Sequence, residues 1–204
     1  QAHGGKLLRH ALAPLGLPIS VDTVKPEVML ASLAAGASLI NDINALRAPG
    51  ALEAVAASNC GVCVMHMQGE PGTMQQAPVY GDVVAEVRDF FVEQVANCRS
   101  AGIADERLVL DPGFGFGKTL EHNLKLFREL GSLAIEGLPL FIGVSRKTML
   151  GAITGRPVDQ RLAASIAAAL LGAQKGGKIL RVHDVAATRD ALAIWSAIEQ
   201  GDMK

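Results

Sequence analysis

Leu108-Val109-Leu110-Asp111-Pro112-Gly113-Phe114-Gly115-Phe116-Gly117-Lys118 places an apolar run, a carboxylate and a loop with three glycines in five residues one after another. The apolar run reads as a strand, and a helical pattern begins near Leu120. Asp111 therefore stands where the strand ends. Glycine lets a backbone take up positive φ or approach a ligand, and Pro112 fixes the first step of the turn. Two phenylalanines in so glycine-rich a loop point to more than burial, and the loop looks built to hold something flat.

Two nucleotide readings fail on this stretch. A phosphate-cradling loop would need glycine five residues before the Gly117-Lys118 pair, where Pro112 stands, and proline has no N–H to offer a phosphate. A dinucleotide fingerprint starting at Gly113 would need glycine where Lys118 stands. Taken alone, the loop suits a plain glycine turn as well as a binding site.

The same arrangement recurs along the chain. Strand patterns fall at residues 18–22, 38–41, 61–65, 107–111, 139–143 and 178–182, and helical patterns follow each, at 26–35, 49–58, 82–101, 120–130, 158–175 and 185–198. Pro26 and Pro49 suit first-turn positions and Gly36 suits a helix stop. Near-continuous apolar strands separated by helices imply a parallel sheet. Asp22, Asn41, His66, Asp111, Ser145 to Lys147, and Arg181 with His183 all lie at or just after a strand's C-terminal end. An open doubly wound sheet concentrates its chemistry at one crevice, whereas six contributing strands favour a barrel whose strand ends form a ring, the (β/α)8 TIM barrel. A complete barrel runs to about 250 residues at roughly 30 per βα unit, so 204 residues supply about six of eight. The expected deficit is at the front, where one helical stretch, residues 6–13, precedes the first strand. The expected organisation is a single barrel domain over 1–204, lacking strands 1 and 2 with their loops.

Composition narrows the partners. Half the residues are hydrophobic, aromatics are few, and the formal net charge of −1 comes from acids and bases mixed along the chain. Nucleic acid is not implied, and neither is a membrane: no apolar run reaches spanning length and no signal-peptide pattern opens the chain. Cys60-Gly-Val-Cys63 has redox spacing, but Cys63 falls inside a strand. Buried, reduced thiols in a cytoplasmic protein are the better reading, ahead of a redox pair or a zinc site.

Read together, Ile19-Ser-Val-Asp-Thr23, Ile40-Asn-Asp-Ile43, Met65-His-Met-Gln68, Asp111-Pro-Gly-Phe-Gly-Phe-Gly-Lys118, Gly143-Val-Ser-Arg-Lys147 and Arg181-Val-His-Asp184 resemble the dihydropteroate synthase family. The motifs run in family order and cover essentially everything after Ile19. The family's first two strands, with loops bearing Thr-Pro-Asp-Ser-Phe-Ser and Ser-Thr-Arg-Pro-Gly, find no match. The resemblance implies a folate-pathway transferase that joins p-aminobenzoate to 6-hydroxymethyl-7,8-dihydropterin pyrophosphate and expels pyrophosphate by an SN1-like path. It also implies magnesium, tied in the family to the unmatched first loop, so the metal ligands are unknown. Sulfonamides are the expected competitors and a homodimer the expected assembly, with a face among the last helices.

The residues suit those roles. Asp22 and Asp111 accept from pterin N–H groups, Asn41 does both, and Lys147 donates. Arg181 stacks a flat guanidinium on the pterin and reaches pyrophosphate, toward which His183 also points. Phe116 walls the aminobenzoate site, with Lys147 and Thr148 near its carboxylate. The expected catalytic set is Arg181, His183 and Lys147, which position substrates and stabilise the leaving charge. His66, flanked by methionines, reads as a loop brace, Asp184 as the cap of the last helix, and Arg146 as half of an ion pair. Residues 68–81, rich in Gly, Pro and Gln, read as a mobile flap. Two other readings stand beside this one: a pterin-dependent methyltransferase, and a shortened barrel that binds pterin without turnover.

Overall fold

A computed structural model of the chain describes residues 12–201, so nearly all of the helix expected over residues 6–13 lies outside the described residues. Six parallel strands, β1 (Ser20–Asp22), β2 (Leu39–Asp42), β3 (Gly61–Met65), β4 (Leu108–Asp111), β5 (Leu140–Ile142) and β6 (Gly177–Leu180), form one sheet in chain order. Between and after them run α1 (Pro26–Ala34), α2 (Ala51–Ala56), α3 (Val83–Ser100), α4 (Leu120–Arg128), α5 (Thr148–Thr154), α6 (Leu162–Gln174) and α7 (Val185–Gln200). This is α/β architecture with six of the eight units of a TIM barrel.

Strand alternation separates the two faces of the sheet. Ile40, Val62, Val64, Leu108, Leu110, Leu140 and Ile142 are buried on the outer face in one cluster with Phe91 of α3 and Leu126 of α4. Truncating a fully buried aromatic such as Phe91 would cost about 3–5 kcal/mol. On the inner face, Leu39, Cys63, Val109, Phe141 and Ile179 make a second, smaller cluster, one residue from each of five strands. The register sets Cys63 opposite Val109 and brings Asn41, two residues beyond Leu39 on β2, level with both. Cys60 belongs to the outer cluster and Cys63 to the inner, both with free thiols, so the sheet itself separates the two members of the redox-spaced pair. Burial pushes the Cys63 thiol well up.

Several local expectations are corrected. Pro49 lies outside α2, because Gly50 takes φ 84° at its N-cap and ends the preceding turn. The single helix expected over 158–175 is a 3-10 turn at Val158–Gln160 followed by α6. Helix α5 was not expected: it is two turns long, carries Gly151, and stops at Gly155 with φ 68°. As expected, Pro26 opens α1, and Gly36, φ 98°, follows its end.

Candidate active site

Residues two beyond the inner hydrophobic layer also face inward, at the C-terminal ends of their strands. They are Asn41 after Leu39, Asp111 after Val109, and Arg181 after Ile179; Asp22 joins them by pairing with Asn41. The side chains meet. Asn41 Nδ2 donates to Asp22 Oδ2 at 3.1 Å, and Arg181 Nη1 lies 3.3 Å from the same oxygen. The ion pair joins a residue of β1 to one just after β6, at opposite edges of the sheet, so the sheet curls round on itself here. Asn41 Oδ1 is the one buried side-chain oxygen or nitrogen without a hydrogen-bond partner among the described residues. Such an orphan costs about 1–3 kcal/mol and persists where something else satisfies it. The next residue behaves differently: Asp42, fully buried, accepts from Asn44 N at 2.7 Å and Leu46 N at 2.9 Å. The local-turn role thus falls to Asp42 and leaves Asn41 free to face the rim.

Asp111 and Lys147 set the electrostatics. Burial pushes the Asp111 carboxyl upward, while the Lys147 ammonium nearby pulls it back most strongly among its neighbours. Burial likewise lowers Lys147, opposed by Asp111 and reinforced by Arg181. Each thus helps to keep the other charged. One Asp111 oxygen accepts from Gly113 N at 2.8 Å, so part of its acceptor capacity serves its own loop.

Beside this rim opens a cleft of about 820 Å³ between the β4 and β5 loops, lined by Phe116, Lys147 and Thr148 among others. The three residues expected at the aminobenzoate site are therefore brought together. Lys147 Nζ sits 4.8 Å from the centroid of the Phe116 ring and donates to Phe114 O. The cleft does not include Asp22, Asn41, Asp111 or Arg181 in its lining. Lys147 alone belongs to both, through the cleft wall and through the charge of Asp111. Past β6, His183 is held by Ser145, whose Oγ lies 3.0 Å from Nδ1 and accepts from His183 N at 3.2 Å. Arg146 pairs with Asp184 through two contacts, 2.7 and 3.2 Å. Asp184 makes no side-chain cap, which corrects that expectation: the guanidinium has taken its carboxylate.

The glycine loop is built differently from its sequence reading. Phe114 is fully buried, with its ring centroid 5.4 Å from that of Phe127, so one of the two phenylalanines serves the core after all. A Cβ on Gly113 would overlap the carbonyl oxygen of His66, and one on Gly117 the carbonyl oxygen of Gln68. These glycines let two loops pack backbone to backbone; neither is needed for close approach of a ligand. Lys118, which sequence reasoning left without a role, is 3% exposed and clasps the same junction. Its Nζ lies 2.9 Å from His66 Nδ1, 3.1 Å from Gly113 O and 3.0 Å from Phe116 O. Burial, with Lys118 and Arg47 nearby, lowers His66 to about 3, so it is a neutral brace. Residues 68–81 do not hang free. Gln68 exchanges two hydrogen bonds with the Val79 backbone, Gln75 donates to Gly115 O, and Tyr80 Oη donates to Gly117 O at 2.8 Å.

Sequence reasoning placed Ser145 at a strand end without its role as the support of His183, and gave no role to Lys118 or Tyr80, because one hydroxyl, amine or phenol carries no spacing signal. Among the described residues no group of three or more His, Cys, Asp and Glu side chains converges to hold a metal ion. Magnesium takes only one or two protein carboxylates when phosphate oxygens complete its shell, so the described residues build no dedicated cage for it.

A family model described as pterin binding enzyme matches residues 6–183. Dihydropteroate synthase of Escherichia coli K12 is 52% identical over 179 residues, covering 88% of this chain; the chain spans 64% of that relative's length. Two solved structures are similar throughout the fold. Burkholderia cenocepacia dihydropteroate synthase complexed with 7,8-dihydropteroate superposes with a TM-score of 0.92 at 50% identity, over 98% of this chain and 74% of that one. Yersinia pestis dihydropteroate synthase in a sulfonamide drug complex gives 0.93 at 43% identity, over 97% and 72%. The chain belongs to the pterin binding enzyme family, and the relatives it matches are dihydropteroate synthases.

Proposed function

We propose that this chain carries the dihydropteroate synthase reaction, in one barrel domain over residues 1–204. The observation that carries the reading is the junction at Lys147, which joins a polar inner rim to an aromatic-walled cleft. An aminopyrimidinone edge offers N–H donors and a carbonyl acceptor. Asp22, Asn41 and Asp111 supply acceptors, including the unpaired Asn41 Oδ1, and Lys147 supplies a donor. Such a set rejects ligands that leave it unpaired. Arg181 stacks on the pterin face from the exposed side, and p-aminobenzoate fits between Phe116, Lys147 and Thr148. Sulfonamides compete in the same cleft.

In the reaction the bond between the pterin's exocyclic carbon and the pyrophosphate oxygen breaks first, and its electron pair leaves with the oxygen. The amine nitrogen's lone pair then forms the C–N bond to the cation, and the nitrogen sheds a proton to solvent. Arg181 and His183 meet the departing negative charge. Ser145 holds the His183 ring where it can donate from Nε2. Lys147 orients both partners, so the protein's share is positioning and charge stabilisation. Magnesium, proposed as a companion of the pyrophosphate, is assigned no described residue.

The remaining proposals rest on less. A homodimer through the last helices is supported by Leu171 of α6 and Ile194 of α7, which are exposed. Among the described residues no helix is long and apolar enough to cross a membrane, and a cytoplasmic site suits three buried free thiols. The test is to mix the protein with dihydropterin pyrophosphate and p-aminobenzoate and follow pyrophosphate. Release that depends on aminobenzoate and is blocked by a sulfonamide is the expected result. No release, with the fold intact, overturns the reading.

A further inference from the structure

The turn that carries Lys147 is strained and is held from outside. Arg146, just before it, has φ 58°, a left-handed conformation that a non-glycine residue adopts at a cost. Its backbone is gripped on both sides. Its N–H donates to Ser165 Oγ at 2.9 Å, and its carbonyl accepts from Arg161 Nη1 at 2.9 Å. The same Arg161 nitrogen reaches Lys147 O at 3.4 Å, and Arg161 Nε donates to Arg156 O at 3.0 Å. Arg161 therefore ties three carbonyls from two segments with one planar fork.

The fork has a seat. Gly151 lies inside α5 with helical backbone, where alanine is the better helix former. A Cβ on it would stand 2.5 Å from Arg161 Cζ and 2.7 Å from Nε. The guanidinium lies against bare helix backbone, and only glycine leaves room for it. Helix propensity offers no other reason for a glycine there.

The geometry points to Arg161, seated on Gly151, as a positioning residue that holds the β5–α5 turn so that Lys147 and Thr148 face the aminobenzoate cleft. This rests on the reading of that cleft given above. The fork's hydrogen bonds go to backbone carbonyls, two of them on the turn, so its effect on the reaction passes through Lys147 and Thr148. Two of the three cleft residues ride on this turn, against one of the five rim residues. Loosening it should therefore weaken aminobenzoate far more than pterin.

The test compares Arg161→Met with Gly151→Ala. The first removes the fork. The second leaves Arg161 in place, displaces its guanidinium, and adds a better helix former. Three quantities are read: the urea midpoint, hydrogen exchange at the Arg146 and Lys147 amides, and KM for p-aminobenzoate against Kd for the pterin. Expected in both variants is exchange at those amides faster by about tenfold or more, with β5 amides unchanged. KM for aminobenzoate should rise on the order of tenfold while pterin Kd moves less than about threefold. Gly151→Ala should keep or raise the urea midpoint, a result that a merely structural role for Arg161 would not give. Unchanged exchange in both variants, or equal losses for both ligands, overturns the proposal. If wild-type protein makes no dihydropteroate, the functional reading fails by itself, and the exchange measurement still decides whether the fork holds the turn.

Discussion

Three alanine substitutions in one loop separate conformational strain from steric exclusion. Gly113, Gly115 and Gly117 have φ of 63°, 81° and 60°, so alanine at each carries a left-handed penalty of about 1–2 kcal/mol. They differ in what a methyl group would meet. At Gly115 the nearest atom is Lys147 Cδ at 3.6 Å, an ordinary contact. At Gly113 and Gly117 the methyl would overlap the backbone oxygens of His66 and Gln68, with the carbonyl carbons at 3.0 Å. The His66 backbone is tied by its N–H to Asp111 O and by the Lys118 amine at its oxygen, and the Gln68 side chain is tied to Val79, so relieving either overlap means moving the loop. Overpacking of this kind adds about 1–3 kcal/mol. Gly115→Ala should therefore cost about 1–2 kcal/mol, and Gly113→Ala and Gly117→Ala about 2–5 kcal/mol each. With a urea m-value of about 2–3 kcal/mol/M, that lowers the midpoint by roughly 0.7–2.5 M for the outer pair and by about 0.3–1 M for Gly115→Ala. If all three midpoints fall together, backbone-to-backbone packing is not what these glycines provide, and the loop description is wrong.

Two further outcomes follow from single residues. Asn41→Leu removes an orphaned acceptor and one hydrogen bond to Asp22, so folding stability by urea should change by no more than about 1–2 kcal/mol. Pterin binding by calorimetry should fall about a hundredfold; unaltered binding would remove Asn41 from the site. His66 gives a pH signature. In the unfolded chain it takes a proton near 6.5, whereas the folded protein refuses it until about 3. Between those values the unfolded state binds more protons, so stability present above 6.5 is lost as pH falls, reaching roughly 4–5 kcal/mol below both. Denaturation at pH 7 and pH 4 should show a smaller acid loss in His66→Gln, by about 3 kcal/mol. Parallel curves for wild type and variant would mean that the ring is charged or exposed in the fold.

The fold was legible where periodicity and punctuation agree. Leu108–Asp111 and Gly61–Met65 lie where an apolar run meets a turn, and Pro26 and Gly36 bracket α1 as their backbone preferences require. The inner rim was legible too, since strand ends can be located without side-chain contacts. What escaped notice is tertiary. Nothing local marks α5, whose glycine answers to an arginine ten residues away. Phe114 and Phe116 look equivalent in sequence, yet loop curvature sends one into the core and leaves the other half-buried at the cleft. Asp184 precedes a helix in a capping position, but Arg146 competes for it across 38 residues and wins. Lys118 became informative only when His66 and two carbonyls were seen to converge on its amine.

The central claim is that Asp22, Asn41, Asp111, Lys147 and Arg181 form one pterin site. Its most direct test is a calorimetric titration of wild-type protein and Asp111→Asn with a dihydropterin pyrophosphate. The account predicts one pterin bound per chain in the wild type and binding weakened at least about a hundredfold in the variant, whose amide presents a donor where the ring needs an acceptor. Equal affinity in both proteins, with the variant folded, would contradict it.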